Sequence, residues 1–174
     1  MTNTALISIF CPDDVGLISA VSGCLFDLGT NLGDTTFAVL GEGAEFTAVA
    51  ELPDGLTTEE TEQALKATDE LKDAKISVVP FELKPIHTEI GHITHRIEIS
   101  GGDRPGLLAR ISETFVDYGA NIVRLNSESV PGSGGTKYIM RIAAYIPDER
   151  TNSCLATVFN TASELGMACE WAEV

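Results

Sequence analysis

One stretch of this sequence occurs twice, ninety residues apart, and it limits the possible folds more than any other feature. The copies lie in residues 11–31 and 102–121. Seven aligned positions hold the same residue type: Asp13 and Asp103, Gly16 and Gly106, Leu17 and Leu107, Ser22 and Ser112, Asp27 and Asp117, Gly29 and Gly119, Asn31 and Asn121. Unrelated segments of this length should share about one or two residues. The match therefore indicates a duplicated unit and predicts two domains, residues 1–84 and 85–174.

The apolar pattern predicts the same element order in both copies. In the first helix Ile18, Val21, Leu25 and Leu28 recur on one face, and Gly29 ends it. The other predicted elements of the first domain are strands 4–10, 31–40, 44–52 and 75–81 and an acidic helix 57–74. In the second domain they are strands 92–100, 121–130, 136–146 and 167–173 and helices 105–118 and 148–165. Each copy thus reads β-α-β-β-α-β, the α+β ferredoxin-like plan of an antiparallel sheet with both helices on one face.

The first strand of the second copy alternates in polarity. His95, Ile97 and Ile99 alternate with Arg96 and Glu98. Because successive side chains of a strand point to opposite faces, this sequence predicts one largely polar sheet face.

Charge is distributed unevenly between the two halves. The chain has a net charge of −15, with −11 in residues 1–84 and −4 in residues 85–174, and every arginine lies in the second half. Such an acidic chain is repelled by phosphate backbones, so we expect no direct nucleic-acid binding. No apolar run is long enough for a membrane span, and Asp13 and Asp14 interrupt any secretion signal, so we expect a cytoplasmic protein.

Residues typical of catalysis or metal binding do not form a recognisable pattern. His87, His92 and His95 fit no zinc spacing, and the four cysteines form no C-x-x-C pair and are expected to be reduced apolar fillers. No nucleophile elbow, P-loop or dinucleotide fingerprint is present. We therefore expect no metal, no cofactor and no enzymatic activity.

The duplicated turn is the best candidate for a binding site. Amides at the start of each helix can receive an α-carboxylate, the aspartates can receive an ammonium group, and the asparagine amide can both donate and accept. The candidate residues are Asp13, Asp14, Gly16, Leu17, Asn31 and Leu32 in the first copy and Asp103, Arg104, Gly106, Leu107, Asn121 and Ile122 in the second. They are expected to converge on one spot in each copy. The second copy is the better anion site, because Arg104 stands where the first copy has Asp14.

The same residues also have purely structural explanations. An aspartate in the segment Pro12-Asp13-Asp14 can cap a helix, and Gly16 and Gly106 can serve only a tight turn. Asparagine after glycine is common where a chain leaves a helix. The alternative to a ligand site is therefore an architectural turn.

The second copy resembles a known family. Asp103-Arg-Pro-Gly-Leu-Leu108 followed by Gly119-Ala-Asn-Ile122 resembles the ACT domain, a small regulatory module that binds amino acids. The first copy departs from the pattern, with Asp14 and Val15 where Arg-Pro is usual. The resemblance covers nearly the whole chain and implies tandem ACT domains.

The first copy resembles one group of tandem ACT proteins. Cys11-Pro-Asp-Asp14, Asn31-Leu-Gly-Asp34 and Gly43-Ala-Glu-Phe46 are similar to the amino-terminal copy of the glycine cleavage system transcriptional repressor family. This resemblance implies a regulator that senses an amino acid such as glycine or serine and acts through a protein partner, a transcription regulator, rather than on DNA. A homodimer is expected.

Two other functions compete with the sensor. One is a structural ACT dimerisation module with no ligand. The other is an enzyme, since ACT copies also occur beside catalytic domains in formyltetrahydrofolate deformylase and phosphoserine phosphatase. We expect no enzyme here, because no catalytic domain remains after the second copy.

Overall fold

Two compact units make up the chain, Met1–Pro85 and Ile86–Val174. The computed structural model describes residues 3–102, 105–132 and 135–174. Each unit has a four-stranded antiparallel sheet, with strand orders β2-β3-β1-β4 and β6-β7-β5-β8. The predicted tandem ferredoxin-like fold is confirmed.

The helices and strands of the two units correspond in order. The first unit contains β1 (Asn3–Pro12), α1 (Leu17–Asp27), β2 (Asn31–Leu40), β3 (Gly43–Leu52), α2 (Thr58–Lys66) and β4 (Lys75–Pro80). The second contains β5 (His95–Gly101), α3 (Leu107–Asp117), β6 (Asn121–Gly132), β7 (Gly135–Tyr145), α4 (Thr151–Glu164) and β8 (Ala168–Glu173). Pro80 ends β4 at a sheet edge, where its missing N–H breaks no ladder.

Each unit has its own apolar core between its sheet and its helices. In the first unit Ile7 of β1 and Leu25 of α1 are fully buried, and in the second Ile99 of β5 and Phe115 of α3 are buried as deeply. Leu25 and Phe115 occupy the same position in the duplicated sequence. The predicted stripe is buried only in part: Val21 and Leu25 of α1 lie in the core, but Ile18 is 49% exposed and Leu17 is buried in its place. In the second copy Leu108 is likewise exposed and Leu107 is buried.

The predicted helix 57–74 is wrong in its second half. The α-helix ends at Lys66, and a short 3₁₀-helix, Asp69–Leu71, follows. Leu65 and Leu71 are both buried. Six residues apart on a continuous α-helix, they would lie about 120° apart around the axis, so one would leave the core. The break allows both side chains into it.

In the second unit, two predicted elements begin three residues later than expected. The predicted strand 92–100 begins only at His95, and the hydroxyl of Thr94 accepts from the amide of Ile146 at 2.9 Å, in place of a backbone carbonyl. The predicted helix 148–165 starts as a 3₁₀-turn, Asp148–Arg150, before α4. Within the described residues, no helix is both long enough and apolar enough to cross a membrane.

Glu62 joins α2 to β4 and makes the stability of the first unit depend on pH. Its carboxylate accepts from Lys66 and, at 3.1 Å, from the amide of Val78. The Lys66 bond and then the Val78 bond lower the pKa of Glu62 below its ordinary value of 4.5. A lowered folded-state pKa stabilises the fold above the unfolded value, and this contribution is lost as pH falls through the folded value.

Glu62→Gln is therefore expected to flatten the acid side of the stability profile. The free energy of unfolding should fall less between about pH 5 and pH 3 than in the unmodified chain, because one carboxylate no longer takes up a proton on unfolding. Urea titrations at a series of pH values measure this. Glu113→Gln, on the exposed side of α3 in the second unit, is the control for removal of one carboxylate away from the α2–β4 contact. Equal profiles for the Glu62 variant and the unmodified chain would contradict the assignment.

Candidate functional site

The turn before each first helix has the same backbone in both copies. Gly16 has φ 97° and ψ −3°, and Gly106 has φ 80° and ψ 0°, and each is the N-cap of its helix. This left-handed conformation strains any residue with a Cβ, which explains why both copies keep glycine. Neither helix has a side-chain cap. The first-turn amides of α1 and α3 are therefore not covered by a side chain of their own N-cap.

The predicted aspartate cap of the first copy is wrong. Asp14 accepts from the amide of Val15 at 2.7 Å, one residue before the Gly16 cap, so its carboxylate does not reach the first turn of α1. The backbone amide of Asp13 donates to the carbonyl of Glu42 at 2.9 Å and ties the turn to the β2–β3 hairpin. Both aspartates are exposed. The corresponding Asp103 and Arg104 lie outside the described residues.

The expected convergence of turn and asparagine within one copy is wrong. Asn31 pairs with Glu51, which pairs with Thr4 at the start of β1, whereas Asp13 follows the end of β1. At about 3.3 Å per residue, the nine residues from Thr4 to Asp13 separate the two groups by about 30 Å along the sheet. The reason is that α1 runs antiparallel to β1, so β2 begins at the end of the sheet opposite to the one where β1 ends.

The second copy shows the same separation. Asn121 pairs with Tyr145, while Gly101, just before the second turn, pairs with Tyr138. The side-chain amide of Asn121 donates to the carbonyl of Ile90 at 2.8 Å and fastens the segment before β5 to β6. The neighbours of the asparagines, Leu32 and Ile122, pack against the cores of their own units. The structure thus brings together Gly16 with Leu17, and Gly106 with Leu107, but not the asparagines.

Thiol and metal chemistry have little support in the described residues. Burial raises the pKa of Cys154 and, with the nearby Glu170 charge, of Cys169 to about 11, so both thiols are protonated at neutral pH. His95 is buried, and its Nδ1 lies 2.9 Å from the Thr94 hydroxyl. Within residues 3–102, 105–132 and 135–174, no group of three or more His, Cys, Asp or Glu side chains could hold a metal.

A charged concavity on the second sheet is the feature that sequence reasoning missed. It lies on the sheet face opposite α3 and α4 and encloses about 470 Å³. Three arginines from three adjacent strands line it: Arg124 of β6, Arg141 of β7 and Arg96 of β5. We call this surface the arginine face. The alternation in β5 predicted its polarity, but the register of β6 and β7 was needed to bring the arginines together.

The centre of the arginine face is an ion-pair cluster. Arg141 donates from Nε to Glu98 at 3.0 Å and from a terminal nitrogen to Glu128. The Glu128 bond, followed by the Glu98 bond, raises the pKa of Arg141 against the opposing effect of desolvation. All three side chains are about half exposed. The cluster therefore orders the face but adds little to stability.

Comparison with known proteins identifies the second unit. The model of the ACT domain matches residues 95–151, which include the Gly106 turn, Asn121 and the arginines of the arginine face. Residues 95–151 of the second unit match the ACT domain. The first unit is related to it by the duplicated sequence and by the same sheet topology, so the chain has a tandem ACT fold.

Solved structures share this tandem ACT fold over the whole chain. The crystal structure of an unknown protein from Galdieria sulphuraria has a TM-score of 0.78 at 20% identity, covering 100% of this chain and 99% of that chain. A protein provisionally assigned as a glycine cleavage system transcriptional repressor has a TM-score of 0.70 at 14% identity, covering 100% and 98%. At these identities the likeness shows a common fold. No curated protein sequence matches the chain.

Proposed function

We propose that this tandem ACT protein is a non-enzymatic regulator that senses a small ligand, an amino acid such as glycine or serine, and acts through a protein partner. The observation that carries the proposal is the left-handed glycine turn, kept in both copies on a fold with an ACT match. The N-cap of each turn is a glycine, which has no side chain to cap the helix amides, and the helix dipole favours an anion there. An α-carboxylate fits both properties.

The separation of turn and asparagine supports a homodimer. Asn31 and Asn121 cannot reach the turn of their own copy. A ligand that contacts both a turn and an asparagine must therefore receive the asparagine from another ACT unit, either of the same chain or of a second chain. In our proposal a second chain supplies it, so ligand binding and assembly are coupled.

The proposed partner is a transcription regulator of glycine or amino-acid metabolism in the cytoplasm. The net charge of −15 disfavours direct contact with nucleic acid and suits a basic protein surface. The solved structure that is provisionally assigned as a transcriptional repressor has the same fold, which supports a role in transcription regulation. The protonated buried thiols support a role without covalent catalysis.

A thermal-shift panel of the twenty amino acids tests the sensor on the full chain. A ligand that binds only the folded state stabilises it by about 2.7 kcal/mol at a hundredfold excess over Kd, and the melting temperature should rise by several degrees. Arg104→Ala should reduce the rise, because the second copy is the better anion site, whereas Asp14→Ala, at the equivalent position of the first copy, should preserve it. No rise at millimolar concentration for any amino acid would contradict the proposal.

The second candidate is a structural ACT dimerisation module. The observation that favours it is the Asn121 bond to the Ile90 carbonyl, which gives this asparagine an architectural role. Under this function the panel gives no shift while the chain still sediments as a dimer. The thermal-shift panel together with sedimentation therefore distinguishes the sensor from the structural module.

A further inference from the structure

The arginine face contains two arginines that its ion-pair cluster does not use. Arg124 lies opposite Ala143, and Ala143 lies opposite Arg96, so the two arginines flank a small side chain in one row across three strands. The neighbouring row holds Asn126, Arg141, Glu98 and Glu170. Within the described residues, neither Arg96 nor Arg124 makes an ion pair or a side-chain hydrogen bond. Their guanidinium groups are exposed and available.

The fold itself does not require these charges. In the first unit, Arg96 and Glu98 correspond to Leu6 and Ser8, and Arg141 corresponds to Thr47. That sheet has the same strand order without a single arginine. The arginines of the arginine face are therefore found only in the second copy. Because the chain is strongly acidic, two unpaired arginines that line one concavity point to a ligand rather than to stability.

The spacing of Arg96 and Arg124 suits one small anion. They lie two strands apart, which places their Cα atoms about 10 Å from each other. Long side chains from β6 and β5, the strands on either side of β7, can close over Ala143, whose methyl group leaves room between them. A guanidinium group donates two parallel hydrogen bonds to a carboxylate or phosphate. The cavity of about 470 Å³ is large enough for a metabolite.

We propose that the arginine face binds a small anion through a carboxylate or phosphate group held between Arg96 and Arg124. Glu170 lies in the next row, two residues along the strand, and faces the same concavity. Its negative charge repels a second anionic group. The end of the ligand that lies near Glu170 must therefore be neutral or positive. Ala172, beside Arg96, completes the small-residue floor. This site is separate from the glycine turn and does not depend on the amino-acid sensor.

Calorimetric titration of the full chain with inorganic phosphate and with succinate, at constant ionic strength, tests the proposal. At least one probe should bind with a millimolar or lower Kd, and the amide resonances of Arg96, Arg124 and Ala143 should shift in its NMR titration. Arg96→Ala and Arg124→Ala should each weaken binding about tenfold or more, because a charge-assisted pair is lost. The preference between the probes distinguishes a phosphate site from a carboxylate site.

Arg150→Ala is the matched control, because it removes the same charge from the exposed 3₁₀-turn before α4. It should change the affinity less than twofold. Equal weakening by the Arg150 and Arg96 variants would mean nonspecific attraction and would overturn the proposal, as would no binding of either probe. Self-association that Arg96→Ala and Arg124→Ala abolish would also overturn it, since the face would then bind a second copy. None of these results depends on the Arg104 thermal shift.

Discussion

Phe115→Ala is expected to lower the free energy of unfolding of the second unit by about 3–5 kcal/mol. Phe115 is 1% exposed and belongs to a core made only of second-unit residues. Removing the ring takes away its burial and leaves a cavity that the rigid sheet cannot fill. Trp171, the single tryptophan, lies in β8 of the same unit, so its fluorescence in urea follows this transition.

Val116→Ala is the control for Phe115→Ala. Val116 is the next residue of α3 but is 75% exposed, so the change should alter stability by no more than about 0.5 kcal/mol. Equal effects of the two variants would contradict the assigned orientation of α3. That result would also place the apolar stripe of the duplicated sequence on the wrong helix face.

Leu25→Ala, at the equivalent position of the first copy, is expected to cost about 2–5 kcal/mol. Leu25 is fully buried in a core whose members all come from the first unit. Amide hydrogen exchange of β1 and β3 should accelerate strongly, because these central strands depend on that core. The exchange of β5 and β7 should change much less. A uniform acceleration across both sheets would show that the two cores unfold as one.

Phe26→Ala is the matched control for Leu25→Ala. Phe26 follows Leu25 in α1, yet its side chain is 79% exposed. The larger side chain is thus expected to have the smaller effect, within about 0.5 kcal/mol. A loss of several kcal/mol on removing Phe26 would mean that this ring is covered in solution.

The element order could be predicted from sequence because two copies gave the same pattern. The apolar stripe through Leu25 and the one through Phe115 predict the same helix in the two copies. Gly29 follows the end of α1, and Gly119 follows the end of α3. The break after Lys66 was not predictable in this way. Glu, Lys, Ala and Leu favour a continuous helix to residue 74, and only the need to bury both Leu65 and Leu71 interrupts it.

The candidate site was predicted in part. Local backbone strain explains Gly16 and Gly106, and a duplicated glycine is visible in the sequence. The distance from this turn to Asn31 depends on the path of α1 and on the strand register, which no local pattern contains. The same limit applies to Arg124, whose neighbours Ala143 and Arg96 are remote in sequence.

The sequence by itself determined the duplication, the β-α-β-β-α-β order of each unit and the glycine turn, because periodicity and backbone strain act over a few residues. Only the tertiary structure decided which side chains meet. It separated Asn31 and Asn121 from the turns and gathered Arg96, Arg124 and Arg141 on one face. The physical reason is that strand pairing and helix direction place residues by register across the sheet, whatever their separation along the chain.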